Sequence, residues 1–167
     1  MKSTKVAHKL RARIARFSGD VSTGLGVVAQ RFVSEMIYGM QASQSVLLTR
    51  IGRTLEEPIA LRKTHERLSR NLQRYGLGDI VQDDVLALAA PQVEADTLLV
   101  LDPSDITKKY ARKMEFLGRV HDGSVHDVAS GYWTLHAIGT QVDSSRMIPL
   151  FQRLWSSKAP DFVSEND

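Results

Sequence analysis

The feature that most limits what this chain can fold into is a change of hydrophobic period at Pro91. Before it, apolar residues recur every three or four positions, the spacing of one helical face; after it come short apolar and β-branched runs of strand length. Helices first and strands afterwards make an α+β chain. A cut near residues 90–96 separates a helical, basic region, 1–90, from a strand-bearing region, 91–167. The 167 residues hold one ordinary domain, or a small domain plus part of another. No internal repeat or low-complexity tract interrupts them.

Within the first region, Val6, Leu10, Ile14 and Phe17 lie at helical spacing, and "SGDVSTGLG" then breaks the pattern. A second helix carries Val28, Phe32 and Met36 on one face as far as Gly39. Ser43 or Ser45 is placed to cap a third helix that turns Leu48, Ile51 and Leu55 inward. A fourth starts near Pro58 with Leu61, Leu68, Leu72 and Tyr75 on one side, and His65 falls in the same stripe as a core-edge residue. Gly76 and Gly78 stop that helix, and a short one around Val81, Val85 and Leu88 ends at Pro91.

After Pro91, "TLLVLD" is an unalternating apolar run, as expected of a strand buried on both faces. Ile106, Tyr110, Met114 and Leu117 fit one face of a short helix, and "HDGS" is a turn. "ASGYWTLHAIGTQ" reads as a second strand. "RMIPLFQRLWS" reads as a third, in which Pro149 needs an edge or a bulge.

Charge divides with the texture. Residues 1–75 carry 14 Lys/Arg against 5 Asp/Glu, whereas residues 76–167 carry 8 against 14, a split hidden in the overall +3. Such asymmetry fits a nucleic-acid or membrane-surface arm on an acidic body, or one solvated basic face. With no cysteine, disulfides and thiolate metal sites are excluded, and a reducing compartment fits. No signal-peptide core follows the basic N-terminus and no run approaches a membrane span, so a soluble, cytoplasmic protein is expected, with no membrane partner.

Gly39 to Leu55 has the outline of a helix-turn-helix, with Gln41, Gln44, Thr49, Arg50 and Arg53 able to bond base edges or phosphates. Lys5, Lys9, Arg11, Arg13 and Arg16 crowd the first helix, and Arg62, Lys63, Arg67, Arg70 and Arg74 continue the charge along the fourth. Over duplex DNA these side chains would release counterions; otherwise they keep the helices solvated.

A rigid strand ending in a carboxylate is a recurrent place for chemistry, and Asp102 is the candidate. Magnesium takes one or two carboxylates, waters and substrate phosphate. Asp105 is placed to cap the helix near Ile106, and on local pattern both aspartates also suit a plain turn and cap. "HDGSVHD", with His121, Asp122, His126 and Asp127, fits no metal motif and reads as a surface turn. No Gly-rich phosphate loop or Ser/His/Asp nucleophile set is present.

"TLLVLDPSDITKKYARKMEFLGRVHDGS", then "GYWTLHAIGTQ" and "MIPLFQRLWSSKAPDFVSEND", resembles the opening of the catalytic domain of bacterial insertion-sequence transposases of the DDE type. "RFVSEMIYGMQASQSVLLTRIGRTLEE" and "LRKTHERLSRNL" resemble their N-terminal helical region, so the likeness runs along nearly the whole chain. It implies a helical DNA-binding region followed by the first three antiparallel strands of an incomplete RNase H-like domain. Asp102 would be the first metal-binding acid, and magnesium the cofactor of the complete enzyme. The second aspartate and the glutamate of the family find no room here, and "VSEND" resembles the first turn of the helix after the third strand. "YARKME" echoes the family's glutamate motif at the wrong spacing and place, so Glu115 is assigned no role.

The resemblance further implies DNA transposition as the function and, only through that DNA binding, a nucleoid-associated protein. Double-stranded element ends would be the partner, together with the remaining transposase segment or another protomer. Alone, the chain is expected to be inactive, with Leu98–Leu101 left as an unpaired apolar edge. Two other readings stand beside it: a non-enzymatic DNA-binding inhibitor of transposition, and an unrelated soluble helical protein with a small sheet.

Overall fold

A computed structural model of the chain describes residues 2–143 and 145–164, with side chains from His8 onward. The chain divides into two compact units, Met1–Leu88 and Ala89–Asp167. It is an α+β protein, and its described residues form five α-helices followed by one antiparallel sheet of four strands.

The helices are α1 (Lys2–Asp20), α2 (Val27–Ser43), α3 (Leu48–Thr54), α4 (Leu61–Leu72) and α5 (Leu77–Ala89). Val21, Phe32, Val33, Ile51 and Leu68 form the buried core of the helical unit, and Met36, Met40, Leu48, Leu55, Val81 and Val85 pack against it. Full burial of one such side chain is worth about 1.5–3 kcal/mol, enough to fix which helix faces meet. Thr23 ties the α1–α2 turn to α5: its amide and hydroxyl donate to the Asp84 carboxylate at 2.9 and 2.7 Å.

Several helix expectations are corrected. Gly39 does not end α2, which runs on to Ser43; Gly39 is buried, and a Cβ there would overlap the Ile51 side chain. Neither serine caps α3, whose N-cap position is Leu47. Ser43 Oγ instead donates to the Ser45 carbonyl, and Ser45 Oγ accepts the Leu47 N–H, both at 3.2 Å. The buried stripe of α4 is Thr64, Leu68 and Asn71, while Leu72 and Tyr75 are exposed. Val28 is likewise exposed, because Ala29, Phe32 and Val33 set the inward face of α2. Gly76, at φ 71°, makes the left-handed turn before α5, and Gly78 lies inside that helix rather than stopping α4.

After a 3-10 turn at Ala90–Gln92 come β1 (Leu98–Thr107), β2 (Gly118–Asp122), β3 (Asp127–Thr140) and β4 (Ile148–Trp155). β3 is the central strand. β1 pairs with it antiparallel from Leu98↔Thr140 to Thr107↔Gly131. Gly131 is also opposite Gly118, so β2 must lie on the other edge of β3, where β4 continues the pairing from Trp133↔Trp155 to Gly139↔Ile148. A bulge at Ala137/Ile138 lies beside Pro149, the irregularity that this proline required.

Three strands were expected, and the described residues form four. The helix expected from Ile106 to Leu117 does not form: β1 continues to Thr107, turns follow, and Tyr110 and Met114 are exposed. Their helical spacing has no apolar surface to meet, so the periodicity is not used. β1 is also not buried on both faces. Leu98 to Leu101 keep 51, 60, 47 and 59% of their surface exposed, since one edge of β1 and much of both faces are open among the described residues.

The parity of β1 fixes what that edge offers. Lys108 N–H donates to Ser130 O at 2.7 Å, and the register carries this alternation back along the strand, so even-numbered residues bond to β3. Odd-numbered peptide groups, Leu99, Leu101, Pro103 and Asp105, face outward. Pro103 therefore sits in a strand without losing a ladder bond, and it interrupts the free edge as a blunting device. Amide exchange of the full chain at low concentration should separate the two sets. Val100 and Asp102 should be protected roughly a hundredfold or more over Leu99 and Leu101; equal protection of neighbours would mean that something already covers the edge. No described helix is long and apolar enough to cross a membrane.

Candidate functional site

Asp102 is exposed at the middle of β1, not at a strand end. It lies directly across from His136, with Ser104 opposite Thr134. His136 is in turn opposite Gln152 of β4. Period-two alternation puts Asp102, Ser104, Thr134, His136 and Gln152 on one face of the sheet. The row is hydrogen-bonded in pairs: Ser104 Oγ donates to Asp102 Oδ2, and Thr134 Oγ1 meets His136 Nε2, each at 3.3 Å. Thr134 is buried beneath the imidazole that it contacts.

Asp105 belongs to the opposite face, since it is three residues from Asp102 in a strand, and it caps no helix. The two aspartates therefore cannot share a cation. As a donor set, Asp102 suits a hard divalent ion as one ligand, with Oδ1 uncommitted. Among the described residues no group of three or more His, Cys, Asp or Glu is assembled, so no two-ion arrangement can be built from them. Sequence reasoning missed His136 and Thr134. Alternation in "YWTLHAI" places these two on a common face, but only the β1–β3 register brings Asp102 opposite them.

In the helical unit, Lys9, Arg11, Arg13 and Arg16 are exposed along α1, with Arg16 loosely paired to Asp20 at 4.0 Å. The side chain of Lys5 lies outside the described residues. Gln44 closes α2 in a left-handed conformation and donates Nε2–H to Gln41 O at 2.8 Å. Residues 44–47 form the turn between α2 and α3, and it contains no glycine. Thr49, Arg50 and Arg53 are exposed on α3, as are Lys63 and Arg70 on α4, where Arg70 donates to Glu66 O.

Arg67 is different. Its side chain is 27% exposed and is held by Glu35 of α2 and by Glu57, the latter at 3.0 Å. Arg31 bonds both carboxylates as well, at 2.7 and 3.1 Å, and Thr64 Oγ1 donates to Glu57 at 2.8 Å. Burial pulls the Glu57 carboxyl upward, but the hydrogen bonds from Thr64 and Arg67 and the charges of Arg67 and Arg31 hold it below the ordinary glutamate range. Desolvation likewise opposes the Arg67 charge, and Glu35 and Glu57 outweigh it, raising its pKa. Arg67 is thus committed to joining α2, α4 and the loop between α3 and α4.

The His121–His126 region forms the β2–β3 hairpin. Asp122 is buried there; Ser124 bonds it through both hydroxyl and amide, and Lys109 lies 3.5 Å away. Chiefly the Ser124 hydroxyl, opposed by burial and aided by the Ser124 amide and Lys109, holds this carboxyl below the usual aspartate range. These are turn-forming bonds. "VSEND" continues beyond β4 without a helix through Ser164, and Glu165–Asp167 lie outside the described residues.

No protein-family model matches the chain, and no curated protein matches it.

Proposed function

We propose that this chain is the N-terminal part of a DDE transposase, in which a basic helical unit engages element-end duplex DNA and a sheet of RNase H-like order carries the first metal-binding acid. The observation that supports it most is the antiparallel succession β1–β3–β4 with Asp102 exposed on an open face. β2 stands as an additional hairpin strand within that order. The exposed Arg50 and Arg53 of α3, with Lys9, Arg11, Arg13 and Arg16 of α1, Lys63 and Arg70 of α4, and Gln44 in the turn, are the candidate DNA contacts. Arg67 supports them by holding α2 and α4 together rather than by touching phosphate.

Magnesium at such a site supplies Lewis-acid activation of a phosphodiester. Asp102 would contribute one oxygen ligand, and the open face beside it leaves room for a DNA strand. With one carboxylate on that face, the protein on its own is expected to bind DNA without cutting it.

A gel shift with duplexes carrying terminal inverted repeats tests this. Binding should fall steeply with salt because phosphate neutralisation releases counterions. Arg50→Ala with Arg53→Ala should weaken it about tenfold or more and flatten the salt dependence. Absence of any shift near about 50 mM salt, where counterion release favours binding most, would refute the DNA-binding reading. Magnesium-dependent strand cleavage by the purified chain would refute the expected inactivity.

A further inference from the structure

We propose that His136 is a second ligand beside Asp102, so that this face holds a divalent transition metal such as Mn²⁺ or Co²⁺ more tightly than Mg²⁺. The inference rests on the reading of Asp102 as a cation ligand and adds to it the identity of a neighbour and a metal preference.

Three features of the sheet carry it. First, Asp102 and His136 are directly opposed in an unbroken stretch of the β1–β3 ladder. Opposed side chains on one face have Cβ atoms about 4.5–5.5 Å apart, a spacing from which a carboxylate and an imidazole can converge on one ion. Second, each ligand is already held by a partner of its own. Ser104 Oγ occupies Asp102 Oδ2, and Thr134 Oγ1 engages His136 Nε2, while His136 Nδ1 has no hydrogen bond among the described residues. In the tautomer that donates Nε2–H to the threonine oxygen, Nδ1 keeps its lone pair for a cation. Fixing one ring nitrogen by a hydrogen bond is how metal-binding histidines are commonly oriented. Third, the site is accessible: Asp102 and Gln152 are exposed and His136 is half-buried, so water or a phosphate oxygen can fill the remaining positions.

The metal preference follows from the donor types. Imidazole adds little for Mg²⁺, which favours oxygen and keeps its waters, whereas metals later in the first-row series gain from nitrogen. Two protein ligands give weak binding by themselves, and the other positions fall to water or phosphate.

The test is metal binding to the intact chain without DNA, following the free Mn²⁺ resonance signal and the visible absorption of Co²⁺, with Mg²⁺ as competitor. His136→Gln is expected to weaken Mn²⁺ and Co²⁺ about tenfold or more and to shift the Co²⁺ spectrum, leaving Mg²⁺ competition within about twofold. Thr134→Val should reproduce part of the loss by freeing the ring, and circular dichroism checks that each variant keeps its fold. If His136→Gln leaves Mn²⁺ binding unchanged, or weakens Mg²⁺ equally, the imidazole is no ligand. Asp102→Asn separates the two readings. Loss of all metal binding in Asp102→Asn but none in His136→Gln sinks this inference alone, and no effect of either variant sinks the assignment of Asp102 as well.

Discussion

Replacing Arg67 by alanine is expected to destabilise the helical unit by about 2–3 kcal/mol, a large share of the stability of a small domain. The reason is the two carboxylates left behind. Glu35 and Glu57 are each about one-seventh exposed, and Arg67 is the cation most enclosed with them. Removing one partner of a buried pair commonly costs about 3–5 kcal/mol; the lower figure here reflects partial solvent access and the remaining contacts of Arg31. Urea unfolding followed by helical circular dichroism measures the difference. A loss below about 0.5 kcal/mol would mean that the cluster behaves as an ordinary surface network.

The pH dependence has a definite sign. Glu57 is held below the ordinary glutamate range in the folded state, so its pairing contributes fully above the unfolded value and is lost as pH falls through the folded one. The gap between wild type and Arg67→Ala should therefore narrow below about pH 4. Arg67→Met combined with Glu35→Gln and Glu57→Gln should recover much of the stability, because neutral groups need no counter-charge. DNA affinity of that triple variant tests the division of labour among the arginines: a supporting Arg67 predicts near-wild-type binding once the unit is folded.

How much could be read in advance depended on whether a pattern met a partner surface. Phe32, Met36, Ile51, Leu68 and Val85 lie in or against the core, and their helical spacing located α2 to α5. The same spacing at Ile106, Tyr110, Met114 and Leu117 misled, because β1 pairs onward to Thr107 and nothing covers Tyr110. The unalternating Leu98–Leu101 run marked a strand correctly, but apolar character alone does not say that a neighbour is present to bury it. The strand was expected to end at Asp102, whereas β1 runs on through Pro103, which edge parity shows it can tolerate. β2 left a faint trace, one inward valine, Val120, before the turn. Asp102 stood out as an acid after an apolar run, whereas the Asp102–His136 opposition is a property of register between segments about thirty residues apart, which local sequence does not encode.

Gly39 offers the other large effect, and its sign is opposite to what helix propensity gives. In an exposed helix interior, Gly→Ala gains about 0.5–1 kcal/mol. At Gly39 the new Cβ would overlap Ile51 Cγ2 and come within 3.2 Å of Ile51 Cβ, and Ile51 is fully buried. Overpacking of this kind costs about 1–3 kcal/mol, so Gly39→Ala should be destabilising on balance and Gly39→Val more so, by about 3 kcal/mol. Ile51→Ala alone should cost about 2–5 kcal/mol through the cavity it leaves. The Gly39→Ala, Ile51→Ala double variant should lose about 1 kcal/mol or more less than the sum, since the added methyl then fills part of the space vacated by the isoleucine. Denaturant unfolding of the four proteins closes the cycle. Additivity within about 0.5 kcal/mol would show that α2 and α3 do not meet through this pair. Because Arg50 and Arg53 flank Ile51 on α3, Gly39→Val should also weaken DNA binding under conditions where the unit remains folded, through the orientation of α3 and not through any lost charge.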